Sequence, residues 1–334
     1  MERGILPEQE IENAQNLVKL VRKWGDVNSE ALLEENCHTF FMPEIEGFIG
    51  YKIESKNAVV FGDPVCAPQD KPILAKAFDR ECQRLHLKTV YIIASQDFAK
   101  WATDNLSAIA VEFGMKFALD PQNNPSFSKG QKASLVRNRM RRALSDNVVV
   151  QEYLEDDPSI ERQLEEIATN WLKKRQGPQI YLSKIVLFRN RYGKRWFYAR
   201  KGDNIVALLW INELQSQNGW MLNNIMMIDD APKGISELLI VFILETLRKE
   251  GCRVVLGGPV PAKQLGKISG IGKIKAHLIC LVFKIGRYFF NLDGRAIFWN
   301  KFQPQFQSSF LLFPHRNLKF SSIKALMRAL NANV

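Results

Sequence analysis

The stretch Gly219-Trp220-Met221-Leu222-Asn223-Asn224-Ile225-Met226-Met227, the turn Asp229-Asp230-Ala231-Pro232-Lys233-Gly234 and the run Ile235–Lys249 decide the fold class. The first reads as a strand, the second carries Pro-x-Gly turn chemistry, and the third has the length and apolar density of a buried helix. Another strand over 253–256 follows and stops at Gly257-Gly258-Pro259. Strand, turn, helix and strand in that order make a crossover in a helix-covered sheet, which places the chain in the α/β or α+β class.

Reading outward, strands are expected over 195–198 and 205–211, preceded by a helix over 159–175. The first half has the same rhythm. A helix over 8–24 puts Ile11, Ala14, Leu17, Val18 and Val21 on one stripe, and short strands follow over 39–41, 47–53 and 58–61. The turn Gly62-Asp63-Pro64 then leads to a helix over 71–86 and a strand over 89–94. The order of elements repeats; the sequence itself does not. Between the halves, Asp120-Pro121-Gln122-Asn123-Asn124-Pro125 is polar and turn-forming, and a basic helix over 132–144 begins at Lys132. It carries Arg137, Arg139, Arg141 and Arg142, and Arg137 and Arg141 share a face one turn apart. The expected organisation is an N-terminal unit over 1–125, a connecting helix over 126–150 and a C-terminal unit over 151–334.

Across 334 residues, 46 Lys and Arg stand against 35 Asp and Glu, a net charge of +11 that is unevenly placed. Residues 1–125 are net −6, residues 126–201 net +9 and residues 202–250 net −4. The block 251–334 has 13 basic residues and a single acid, Asp293. Such a field attracts polyanions: nucleic acid, anionic lipid or phosphorylated substrates. The five cysteines lack CxxC spacing, the four histidines lack HExxH, and neither GxSxG nor GxxxxGK[ST] occurs. These absences speak against a zinc site, a serine-hydrolase elbow and a phosphate-binding NTPase loop. The N-terminus has no apolar signal core, and no apolar run approaches the ~18–20 residues that span a bilayer. A cytoplasmic protein that touches membranes only peripherally is the expectation.

A glycine at a helix N-terminus lets backbone amides approach an anion, and the helix dipole favours negative charge there. The Gly234 turn resembles the pyrophosphate turn of acetyltransferases of the GNAT superfamily. Ser236 stands at its second small position, and Glu237 follows, a carboxylate that would repel a pyrophosphate. A wider resemblance rests on motifs in fixed order. They are Phe61-Gly62-Asp63-Pro64-Val65, Arg137-Asn138, Trp171-Leu172, Ile205-Val206-Ala207, Ala231-Pro232-Lys233-Gly234 and Leu256-Gly257. Gly294-Arg295, Lys301-Phe302 with Pro304, and Phe310-Leu311-Leu312-Phe313-Pro314 complete the set. Together they resemble the C-terminal catalytic region of the phosphatidylglycerol lysyltransferase family, as a standalone soluble module.

That resemblance implies two tandem GNAT-like subdomains, each a mixed, mostly antiparallel sheet flanked by helices. It implies aminoacyl-tRNA as the donor, an anionic phospholipid such as phosphatidylglycerol as the acceptor, and no cofactor, coenzyme A included. The family usually has Asp and Arg in the strand before the Pro-x-Gly turn; here Asn223 and Met226 stand at those positions, and Trp299 replaces a frequent Lys while Lys301 is retained. The implied catalytic set is therefore Lys301, Asn223 and Arg295. The implied substrate-binding set is Lys132, Arg137, Asn138, Arg141, Gly234 and Asp63. Lys301 would stabilise a developing oxyanion or neutralise a phosphate. Asp63 reads equally as a turn-former that caps its own backbone. Two rivals stay open: an acyl-CoA-dependent N-acyltransferase on the same fold, and a catalytically silent tRNA- or membrane-binding module. The basic amphipathic helix over 323–330 either closes the fold or rests on a membrane.

Overall fold

Residues 8–34, 36–106, 109–154, 156–174, 185–261, 264–272, 274, 276–277, 279–280, 293–313 and 320–329 are described in the computed structural model. The first half runs α1 (Glu8–Trp24), β1 (His38–Phe40), β2 (Gly47–Glu54), β3 (Asn57–Phe61) and β4 (Val65–Cys66). It continues through α2 (Lys71–Arg84), β5 (Lys88–Ala94), α3 (Gln96–Asn105) and β6 (Ile109–Leu119). The basic helix α4 (Gln131–Ser145) leads to β7 (Val148–Tyr153), α5 (Pro158–Lys174), β8 (Lys194–Lys201), β9 (Asn204–Leu214), β10 (Gly219–Leu222) and β11 (Met226–Met227). Then come α6 (Ile235–Lys249), β12 (Val255–Pro261), β13 (Ile268–Ser269), α7 (Asp293–Asn300), β14 (Gln305–Phe313) and α8 (Phe320–Ala329).

One sheet runs through both halves in the order β1-β2-β3-β5-β14-β6-β12-β10-β9-β8-β7, with β4 on β2, β11 on β9 and β13 on β6. Two of its pairings are parallel. They are β3 with β5 across α2, and β10 with β12 across α6, so each half contains the same crossover. The halves join where β12 pairs antiparallel with β6. The late strand β14 lies between β5 and β6, both from the first 125 residues.

Alternation along the strands sends side chains to both faces, and both are covered. In the second half, Phe197, Leu209 and Ile211 pack with Leu239 and Ile243 of α6 and with Trp299 and Phe302. Trp196, Leu208 and Trp210 pack instead with Leu164 and Ala168 of α5. In the first half, α1 and α8 cover Phe48, Val59 and Phe61, while α2 and α3 cover Ile49, Val60 and Tyr91. The tail helix α8 therefore closes the first core, with Ala325 and Leu326 buried.

A buried ionic knot ties α1 to the second half. The Glu30 carboxylate takes Arg22 Nη1 at 2.8 Å, Lys194 Nζ at 2.7 Å and Asn212 Nδ2 at 3.0 Å. Arg22 Nε also donates to the Tyr192 carbonyl at 3.1 Å.

The strand expected over 219–227 is interrupted. Leu222 faces Ile211 and Met226 faces Leu208, so β10–β11 takes one more residue than β9 over the same span. This is a bulge, with Asn223 at its start, and bulges re-aim side chains and end pairing.

Candidate active site

The amino ends of α4 and α6 and the carboxyl end of α7 come together. β10 and β12 pair from Trp220–Val255 to Leu222–Gly257 and then separate. Gly257 is obligatory there: a Cβ on it would sit 1.8 Å from the Phe117 ring. Phe117 in turn stacks on Trp299 of α7 with ring centroids 4.1 Å apart. Gly234 opens α6 at φ +95°, and a Cβ on it would lie 1.9 Å from the Arg139 carbonyl oxygen. The amino end of α6 is thus laid against the backbone of α4.

Lys301 comes to the same place. Its ammonium pairs with Glu237, in the first turn of α6, and lies 4.0 Å from the centre of the Phe298 ring. The side chains of Glu237 and Lys301 are only 7% and 14% exposed, so this pair is shielded from bulk water. One residue earlier, Asn300 Oδ1 accepts from Lys132 Nζ of α4 at 3.0 Å. The structure therefore brings together Lys301, Gly234 and Lys132. Arg295 is carried by α7, and its side chain lies outside the described residues.

The remaining candidates have other surroundings. Arg137 Nη1 donates to the Ser126 and Ser128 carbonyls at 2.9 and 2.8 Å, fastening α4 to the turn before it. Asn138 accepts from Arg141 at 2.8 Å on the exposed face of α4. Asn223 donates its backbone N–H to the Trp210 carbonyl at 3.1 Å, while its side-chain Nδ2 is buried without a partner. Met226 is wholly buried against α5, so that position offers no cation.

Asp63 serves the first half. Its carboxylate accepts from the Ser95 N–H at 2.8 Å, the Ser95 hydroxyl at 2.7 Å and Lys71 Nζ at 2.9 Å. It caps the turn after β5, not its own turn, and so pins the ends of the two parallel strands together. Replacing Asp63 with Ala strands the Ser95 amide and Lys71, an expected loss of about 1–3 kcal/mol that urea unfolding would measure.

Two features escaped sequence reading. Lys116, in the apolar run of β6, is buried against Asp26, and burial pushes its ammonium down to about 8. On the α5 face, an open cavity of about 750 Å³ is lined by Glu166, Trp171, Ile205, Met227, Asp229 and Asp230 among others. Lys174 also lines it and pairs with Asp229, which leaves Glu166 and Asp230 to give the lining a net negative charge. Among the described residues, no cluster of three or more His, Cys, Asp or Glu suits a metal, and no helix is long and apolar enough to cross a membrane.

Residues 21–313 match the family described as "Phosphatidylglycerol lysyltransferase, C-terminal". The chain belongs to this family. Among solved structures, the C-terminal domain of a protein assigned as a lysylphosphatidylglycerol synthetase from Agrobacterium fabrum aligns with TM-score 0.77 at 21% identity, covering 96% of each chain. L-PGS from Bacillus licheniformis aligns with TM-score 0.76 at 15% identity over 99% of each chain. FemX aligns with TM-score 0.54 at 8% identity over 94% of this chain and 97% of its own. These likenesses carry the fold: a mixed α/β chain built on one large, mostly antiparallel sheet flanked by helices. No curated protein matches by sequence.

Proposed function

We propose that this chain is a lipid aminoacyltransferase, moving an aminoacyl group from aminoacyl-tRNA to a hydroxyl of phosphatidylglycerol or another anionic phospholipid. The observation that carries the reading is the convergence of Lys301, the amino end of α6 and the basic helix α4 beside the β10–β12 parting. An aminoacyl ester is already activated, so transfer needs only a positioned acceptor and stabilisation of the carbonyl oxygen. The acceptor oxygen attacks the ester carbonyl, the tRNA ribose oxygen leaves with a proton, and Lys301 faces the oxyanion formed between. The exposed Arg139, Arg141 and Arg142 supply a polyanion surface, so binding of tRNA falls steeply with salt. The packing of Arg139 on Gly234, with Glu237 one turn on, supports a donor other than coenzyme A. The protein would work in the cytoplasm at the membrane surface.

Purified protein, labelled aminoacyl-tRNAs and phosphatidylglycerol vesicles test this directly. Label should pass into the organic phase with at least one amino acid; failure with all of them sinks the lipid reading. Millimolar coenzyme A should leave the unfolding temperature unchanged, and a rise of several degrees would favour the acyl-CoA reading. Met226, buried where the family has Arg, is the observation favouring a silent binding module. That reading requires saturable tRNA binding with no transfer.

A further inference from the structure

The geometry points to Glu237 as the positioning residue of Lys301, an inference that rests on the function proposed above. The Glu237 carboxylate belongs to the first turn of α6, where the helix dipole stabilises negative charge. It is one of few charged side chains buried among the described residues. A buried carboxylate left alone is costly, so its pairing with a cation is a requirement of the fold. The cation it takes is Lys301, 64 positions away. On another side, the Lys301 ammonium lies over Phe298 at 4.0 Å, with Phe302 at 5.8 Å. An ammonium has three donors. Glu237 takes one and the Phe298 face attracts the charge from a second direction, so the flexible four-carbon stem is fixed with one direction left for an incoming oxygen. The same Glu237 that makes the α6 terminus hostile to a pyrophosphate thus converts it into a holder for a cation. Glu237 touches no reacting atom in this arrangement; it acts through Lys301.

The test compares Glu237→Gln, Glu237→Asp and Lys301→Met with Glu245→Gln, which removes only a surface pair on the same helix. The first measurement is the rate at which a water-soluble amine-acylating reagent modifies Lys301, read by peptide mass spectrometry in the folded proteins. Glu237→Gln should speed modification well above wild type, Glu237→Asp should partly restore protection, and Glu245→Gln should change nothing. The second is transfer kinetics. Glu237→Gln should lower kcat about 100-fold, as a misplaced group does, with KM for aminoacyl-tRNA within about twofold. Recovery of part of that loss in Glu237→Asp separates positioning from stability. Unchanged Lys301 reactivity in both Glu237 variants overturns the inference, as does near-wild-type kcat in Glu237→Gln when Lys301→Met is inactive. If wild type transfers nothing, the proposed function falls while the reactivity measurement still decides the role of Glu237. Should Glu237→Gln not fold, the Asp variant carries both measurements.

Discussion

Gly234→Ala should destabilise the protein by about 4 kcal/mol, combining the roughly 1–2 kcal/mol penalty of a Cβ in the left-handed region with roughly 1–3 kcal/mol of overpacking. The new methyl would meet the Arg139 carbonyl oxygen at 1.9 Å and its carbonyl carbon at 2.7 Å. Both are backbone atoms inside a 15-residue helix, so no side chain can swing aside. Relief requires α4 to move off α6, and the Lys132–Asn300 contact and the buried Ala133 and Val136 go with it. Gly202→Ala is the matched control. Its φ is also positive, +57°, but nothing lies within 4 Å of the added methyl, so only about 1 kcal/mol should be lost. Thermal unfolding of the two variants, with the first falling about 6 °C, checks the prediction. Equal shifts would mean that conformational strain alone governs Gly234 and that α4 does not press on it.

Glu30→Ala should cost about 3–5 kcal/mol, because it leaves two buried cations without a counter-charge. The side chains of Arg22 and Lys194 are 1% and 7% exposed, and both use this carboxylate. Burial pushes the Glu30 carboxyl upward, but Lys194 and Arg22 outweigh it and hold the group below its ordinary value. A carboxyl depressed in the folded state contributes stability that is fully present above its unfolded pKa. That contribution drains away as pH falls through the ordinary glutamate range to the folded value. Glu30→Gln, which keeps the shape but cannot ionise, should therefore flatten the acid limb of a stability-against-pH curve. A limb as steep as wild type would place acid sensitivity elsewhere.

The local units were legible because their signals are local. The Pro-Lys-Gly turn and the apolar run after it placed α6 at Ile235–Lys249, and the alternating first-half strands fell within a residue or two of their bounds. The strand β6 was not legible. Glu112, Gly114 and Lys116 interrupt its apolar run, and its pairing with β12, β13 and β14 comes from residues far along the chain. The bulge at Asn223 was hidden for a similar reason, since register belongs to a pair of strands and not to one. At the site, the residue types of Lys301, Gly234 and the α4 arginines announced themselves by charge and turn chemistry. Which of them pair did not. Arg137 looks like a phosphate ligand until the Ser126 and Ser128 carbonyls appear beside it. Glu237 reads as an obstacle until Lys301 is seen upon it.

The insertion of β14 between β5 and β6 sets a timetable for the growing chain. Residues 88–119 leave the ribosome with two strands that are not neighbours in the finished sheet, because the strand that fills the slot between them is 305–313. At ~5–20 residues per second, the wait is roughly 10–40 s. During it, the apolar faces of β5 and β6 and two open edges are available to any other nascent chain. The first-born half of this protein is therefore the last to be finished, and its yield in the cell depends on what shelters that slot in the interval.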